Sequence, residues 1–145
     1  MGKIFKFDKL EIFFKHTDYY GFVHPYYYYE WTSFVRESFF QKSVLNFKDV
    51  IARPIKMMTT KIVCELLEDS EFGDQLEAQL TVEKVKRVSF DMIIRFINLD
   101  KNKVVCQTTH TVVFIDSQTE KFASIPDEMK QVISHYCEDE YKTKI

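Results

Sequence analysis

A strand-like alternation of side chains in the second half of the chain constrains the fold most. Three segments show it, at 76–83, 90–97 and 104–115. A period of two places alternate side chains on one face of a β-strand. The faces expected to be buried are Leu76, Ala78, Leu80 and Val82, then Phe90, Met92, Ile94 and Phe96, then Cys106, Thr108, His110, Val112 and Phe114.

Two earlier segments alternate as well. The first spans residues 7–14 and places Leu10, Ile12 and Phe14 on one face. Turn-forming residues at 67–74 and 99–102 separate the later strands. The second early segment ends at the first of these turns, and its predicted face consists of Met58, Thr60, Ile62, Cys64 and Leu66. The sequence therefore predicts five strands.

The period changes between the first two strands. A helix is predicted over about 26–41, because apolar residues recur there at helical spacing, as Tyr28, Trp31, Val35 and Phe39. Pro25 suits its first turn, since proline lacks an N–H that a helix start leaves unbonded anyway. The chain before Pro54 is predicted to be a loop. A short helix is predicted after Ser124, with Ser124 as its cap.

The predicted order is strand, long helix, four strands and short helix. One long helix cannot supply the crossovers of a parallel sheet, so we expect an antiparallel sheet curled around one central helix, an α+β fold. The 145 residues are expected to form a single domain over 1–145. Aromatic residues make up 16% of the chain, against 3 glycines and 3 prolines, which favours long regular elements.

Composition excludes several functions. A formal net charge of -2 argues against a nucleic-acid binder. No run of about 18 apolar residues exists, so no membrane span is predicted. The cysteines at 64, 106 and 137 form no CxxC pair and no zinc spacing, which indicates reduced thiols and no metal site. We therefore expect a cytoplasmic protein.

The segment 16–31 concentrates the side chains that could do chemistry. An acid, a histidine and several phenols lie within one turn of the predicted helix start. A helix N-terminus offers free N–H groups and a partial positive charge. Such a site can polarise a carbonyl while a carboxylate acts as nucleophile or general base. These residues alone do not select one reaction.

The run Thr17-Asp18-x-x-Gly21-x-Val23, followed by Tyr28, Trp31 and Arg36, resembles the hotdog-fold acyl-CoA thioesterases. The similar branch contains 4-hydroxybenzoyl-CoA thioesterase and the Tol-Pal-associated thioesterases. The resemblance covers nearly the whole chain, through Gly73-Asp74 to Ile125-Pro126. It implies a hotdog fold, with about five strands wrapped around one helix. It also implies a homodimer or dimer of dimers, paired edge to edge, with active sites at the subunit interface.

The resemblance also implies roles for single residues. Asp18 would act on the thioester carbonyl as nucleophile or general base, and Gly21 would form the tight turn behind it. The helix start would polarise the carbonyl, with a contribution from His24. The family's backbone donor lies seven residues after the acid. That position is Pro25, which has no N–H, so His24 or Tyr26 would supply the donor.

The implied reaction is hydrolysis of an acyl-CoA or acyl-carrier-protein thioester to acid and thiol, without a cofactor beyond the coenzyme A of the substrate. Lys86 and Arg87 form a basic turn that is either solvated or a contact for coenzyme A phosphates. The aromatic residues of the long helix would line the acyl group. Two alternatives stay open: a non-catalytic thioester binder, and a dehydratase, which would need a histidine that the helix lacks.

Four of the residues named above also allow a purely structural interpretation. Asp18 could merely cap a turn, and His24 could be an ordinary loop residue. Arg36 is expected to be solvated or salt-bridged, and His110 to be a sheet histidine whose hydrogen bonds are satisfied.

Overall fold

The computed structural model describes residues 2–137. Their strands form one antiparallel sheet in the order β1-β3-β4-β5-β2. Along the chain the elements are β1 (Phe5–Glu11), α1 (Pro25–Ser43), α2 (Phe47–Ile51), β2 (Ile55–Leu66), β3 (Gln75–Glu83), β4 (Ser89–Asn98), β5 (Lys103–Asp116) and α3 (Asp127–His135). The predicted α+β hotdog architecture is confirmed. In the described part of the chain, no helix is long and apolar enough to cross a membrane.

The core lies between α1 and the three central strands. The faces predicted from alternation in β3, β4 and β5 are all buried. The helix covers them with a stripe at spacings of three, four and seven residues, namely Tyr28, Trp31, Thr32, Val35, Phe39 and Phe40. Tyr28 is only 2% exposed, so its predicted place in the core is confirmed.

The predicted single face of β2 is wrong. A register shift between Thr59 and Lys61 leaves Thr60 as an extra residue, which is a β-bulge. One extra residue exchanges the inner and outer faces of the strand beyond it. Met58 therefore shares the outer face with its partner on β5, whereas Ile62 pairs with buried His110 on the inner face.

The predicted end of the first strand is also wrong. β1 stops at Glu11, and residues 14–16 form a short 3-10 turn. Phe14 is 72% exposed and stacks on Phe72, with ring centroids 3.9 Å apart. The turn forms because the backbone N–H of Phe13 finds an acceptor in the His16 side chain, 2.9 Å away. Leaving the sheet at this point frees the chain for the loop that follows.

The helices differ from prediction in two places. α2 was predicted as loop, because five residues are too few for a helical period to be recognised. Ser124 does not cap α3, which begins at Asp127 after Pro126. Instead, the Ser124 hydroxyl accepts a hydrogen bond from Arg87 at 3.0 Å.

Replacing one buried phenylalanine of α1 by alanine should separate the contribution of packing to stability from that of helix propensity. Phe39 is fully buried, whereas Phe34 on the same helix is 58% exposed. We expect Phe39→Ala to lower the free energy of unfolding by about 3–5 kcal/mol. The matched change Phe34→Ala should cost less than about 1 kcal/mol. Urea denaturation checks both, and equal losses would contradict the helix orientation described above.

Candidate active site

The loop between the 3-10 turn and α1 is a tight hairpin. Thr17 bridges to Val23, and the Asp18 N–H donates to the Phe22 carbonyl at 2.7 Å. The Gly21 N–H closes the turn onto the Asp18 carbonyl at 3.0 Å. Gly21 has φ +85°, a left-handed conformation that side chains disfavour. The sequence therefore places glycine where the turn requires it.

The Asp18 carboxylate has two oxygens in different situations. Oδ1 accepts hydrogen bonds from the backbone N–H groups of Tyr20 at 2.9 Å and Phe22 at 3.2 Å. Oδ2 makes no hydrogen bond within residues 2–137, and the residue is exposed. One oxygen thus fixes the orientation of the carboxylate, and the other stays available to a reacting molecule.

His24 is the N-cap of α1, immediately before Pro25 at the first helical position. Its Nδ1 accepts the Tyr26 N–H at 3.2 Å. Its own backbone N–H donates to the His16 carbonyl at 2.9 Å. Neither of the two backbone N–H groups expected to polarise a carbonyl is therefore free. Because Nδ1 acts as acceptor, the neutral imidazole of exposed His24 carries its proton on Nε2.

His16 supports this loop from its buried side, a role that sequence reasoning missed. Its side chain is buried, and its ring meets Tyr27 and Trp31 edge-on, with centroids 4.8 Å and 5.0 Å away. Burial, followed by the charge of Lys15, lowers the pKa of His16. The imidazole is therefore kept neutral, as its acceptor role toward Phe13 requires. Nothing in the sequence distinguishes this histidine from the exposed one.

A second loop, at 67–74, holds the first in place. The Ser70 carbonyl accepts the Val23 N–H at 2.9 Å. The buried amide of Asn98 in turn donates to the Ser70 hydroxyl at 3.2 Å and to Asp74 at 2.9 Å. Its carbonyl oxygen accepts two backbone N–H groups of the following turn. Asn98 thereby joins three connections of the sheet at the end where Asp18 lies.

A polar cluster interrupts the apolar contact between α1 and the β2–β5 edge. An Arg36 Nη1 donates to the Thr59 hydroxyl at 2.6 Å and lies 3.4 Å from Nδ1 of His110. Among the described residues, no acid lies within salt-bridge distance of Arg36, which corrects the expected solvated or salt-bridged state. His110 is also not fully satisfied, since its buried Nε2 has no partner.

The basic turn is far from the loop within one subunit. Lys86 and Arg87 are exposed in the β3–β4 connection. Asp18 lies at the opposite end, beside the start of β3. The eight residues from Leu76 to Glu83 span roughly 23 Å at the rise of a β-strand. The structure therefore does not bring the predicted phosphate contacts to Asp18 of the same chain.

A cleft of about 460 Å³ runs along the outer side of α1. It begins at Tyr26, which lies in the first turn of the helix. Its lining combines phenol and phenyl rings with a few polar groups, namely Tyr26, Tyr29, Glu30, Ser33, Phe34 and Glu37. The aromatic helix thus presents one face to the core and another to an open groove.

The cysteine thiols and the metal-binding side chains are the other groups that could carry chemistry. The free thiols of Cys64 and Cys106 lie 3.7 Å apart across β2 and β5. Burial raises the pKa of Cys106 strongly, so this thiol stays protonated. Within residues 2–137, no group of three or more metal-binding side chains is placed to hold an ion.

The comparisons with known proteins identify the family of this chain. The model of the thioesterase-like superfamily matches residues 13–133. The chain belongs to that superfamily, while its predicted branch stays a prediction. A search of curated protein sequences found no match.

Solved structures share the fold. A hypothetical protein of Staphylococcus aureus, solved in complex with CoA, superposes with a TM-score of 0.82 at 15% identity, over 94% of this chain and 85% of that one. A 1,4-dihydroxy-2-naphthoyl-CoA thioesterase from Synechocystis gives 0.80 at 16% identity, over 90% and 96%. A probable thioesterase from Escherichia coli gives 0.75 at 18% identity, over 92% and 97%.

The buried state of His110 should make stability depend on pH. Burial, followed by the charge of Arg36, lowers the pKa of His110 from 6.5 to about 4. Between these values the unfolded chain binds a proton that the folded chain does not. The free energy of unfolding should therefore fall as the pH drops from 6.5 to 4, by about 3 kcal/mol at most.

The difference between wild type and His110→Gln, measured by urea denaturation at pH 7.5 and 4.5, isolates this contribution. Other groups that titrate in this range cancel in the difference. We expect the wild type to lose more stability than the variant. An equal loss would mean that His110 titrates normally in the folded protein.

Proposed function

We propose that this protein hydrolyses acyl thioesters of coenzyme A to a free acid and a thiol. The observation that carries the proposal is the Asp18 carboxylate, which is held through Oδ1 and left open at Oδ2 beside the start of α1. Membership of the thioesterase-like superfamily supports the reaction class. The naphthoyl-CoA thioesterase of the same fold and the CoA-bound staphylococcal protein support coenzyme A as the thiol half.

Asp18 is the residue to which we assign the chemistry. Its free oxygen can attack the thioester carbonyl, giving an anhydride that water then cleaves, or it can remove a proton from an attacking water. The two hydrogen bonds to Oδ1 hold the carboxylate in one orientation, which either role needs. In both routes the carbonyl oxygen gains negative charge before the C–S bond breaks. In the general-base route Asp18 passes the proton taken from water to the leaving sulfur. In the nucleophilic route the thiolate leaves first and takes its proton from solvent, and water then cleaves the anhydride.

We assign stabilisation of that developing charge to the side chain of His24. Both candidate backbone donors of the helix start are already bonded, to His16 and to His24 itself. The Nε2–H of His24 is the donor that remains at this position, and the Tyr26 N–H fixes the imidazole by donating to Nδ1. Oriented donors aimed at a developing oxyanion stabilise it without reorganisation. Pro25 thus shifts the donor from the backbone to a side chain.

The complete site requires a second copy of the chain in this proposal. β2 is a long edge strand, and its exposed apolar residues are Met58, Ile62, Val63 and Leu66. An uncovered edge of this kind favours pairing with another strand. Two-fold pairing across β2 reverses the partner, so the basic end carrying Lys86 and Arg87 comes to the side where the other copy holds Asp18. A homodimer therefore places the basic turn of one copy and Asp18 of the other at the same end of one continuous sheet.

The groove on α1 is the proposed place of the acyl group. It starts at Tyr26, next to the His24 donor, and its rings provide apolar surface. Gly21 adds no side chain to the turn that carries Asp18.

Replacing Asp18 by asparagine tests the central assignment. Asparagine keeps the oxygen that accepts the two N–H groups, so the turn and fold should survive. We expect kcat/KM for acyl-CoA hydrolysis to fall at least a hundredfold in Asp18→Asn, because the amide neither attacks nor accepts a proton. A free-thiol assay measures turnover on short-chain and aromatic acyl-CoA substrates. Unchanged turnover would leave Asp18 with only its turn-capping role.

Two variants of His24 separate its cap from its donor role. The serine hydroxyl of His24→Ser can accept the Tyr26 N–H, so helix stability should be kept, whereas His24→Ala should lose about 1 kcal/mol. Both variants lack the Nε2–H and should lose roughly tenfold to a thousandfold in kcat. Thermal unfolding and the thiol assay read the two effects. Full activity in His24→Ser would contradict the assigned donor.

A further inference from the structure

A second cleft lies where the three helices meet the β2–β5 edge of the sheet. Its volume is about 440 Å³, which lies within the range of small-molecule sites. It is separate from the Asp18 loop, none of whose residues lines it. Most of its wall is apolar, with Phe47, Ile51, Ile55, Met57, Met58 and Met129 among the lining residues.

Arg36 brings to this wall a positive charge that no salt bridge within residues 2–137 neutralises. The guanidinium is half-buried and lines the cleft. Both hydrogen-bonding neighbours, Thr59 and His110, are uncharged near neutral pH. Its Nε is buried without an acceptor. Glu37 acts on Arg36 only through space, so a bound anion in direct contact would stabilise this half-buried cation further.

His110 supports Arg36 from outside the cleft, since it is not among the lining residues. Its Nδ1 accepts from the guanidinium and therefore offsets none of the positive charge. The charged side chains that line the cleft are Arg36, Lys56 and Glu37, and they leave it with one net positive charge. A ligand that complements this charge is an anion.

We propose that this cleft binds a free organic acid, with its carboxylate on Arg36 and an apolar body of about eight carbons against the methionine and isoleucine side chains. A carboxylate accepts charge-assisted hydrogen bonds from guanidinium N–H groups, and the donors of Nη2 are not taken by Thr59 or His110. A thioester or an alcohol with the same body offers no negative charge. The site does not depend on thioester hydrolysis, since Asp18 takes no part in it.

Methionine-methyl NMR with octanoate as probe tests the site directly. Met57, Met58 and Met129 line the cleft, whereas Met92 lies in the core outside it. We expect the three cleft methyl signals to shift saturably with octanoate and the Met92 signal to shift less. Octanamide, which has the same chain length without the charge, should bind at least tenfold more weakly.

Variants then assign the anion to Arg36. Arg36→Gln should weaken octanoate at least tenfold and leave octanamide unchanged, with the Met92 signal reporting a preserved fold. Lys48→Gln, on α2 outside the cleft lining, is the matched charge control and should bind as wild type. Asp18→Asn should also bind octanoate normally, so a failure of the proposed hydrolysis is distinguishable from a failure of this site.

Three results would overturn the inference. Equal shifts with octanoate and octanamide would show a merely apolar groove. Wild-type affinity in Arg36→Gln would remove the carboxylate contact. Cleft signals that move with protein concentration and ignore octanoate would show that a second copy of the chain fills the cleft.

Discussion

The contact between one face of α1 and the inner side of the sheet is the interaction on which the other features depend. Six side chains of the helix are buried there, and four of them are large rings with little or no exposed surface, namely Tyr28, Trp31, Phe39 and Phe40. Burial of this apolar area is the main favourable contribution to folding. It also fixes where the helix starts, and therefore where its N-terminus meets the loop that carries Asp18.

The chemistry at that N-terminus relies on polar groups that are themselves buried. Asn98 holds the 67–74 loop, and Ser70 of that loop holds Val23 next to the helix cap. His16 closes the other side with a neutral ring. An unpaired buried amide or imidazole would be costly, so these contacts make the loop geometry definite although its outer surface is exposed. The Asp18 carboxylate is therefore carried by a loop whose backbone position is fixed by buried contacts.

The sequence predicts correctly those parts of the fold in which apolar residues recur at a regular spacing. The inner faces of β3, β4 and β5 and the long helix followed from spacing and residue type, whereas the tight turn at Gly21 followed from the resemblance to the hotdog thioesterases. The bulge at Thr60 could not be found, because one inserted residue leaves the local alternation intact and only changes its phase. The pairing of Arg36 with Thr59 and His110 also depends on the register between a helix and two strands, which no local pattern encodes.

Residues near the two ends of the described chain meet at the end of the sheet opposite Asp18. The Lys3 N–H donates to the His135 carbonyl at 2.6 Å, and Cys137 bridges to Val82 at the end of β3. A short linker between these segments would therefore need to span little distance. The chain could be reopened in the exposed β4–β5 turn at 99–102, giving a circular permutant whose strands keep their order in the sheet.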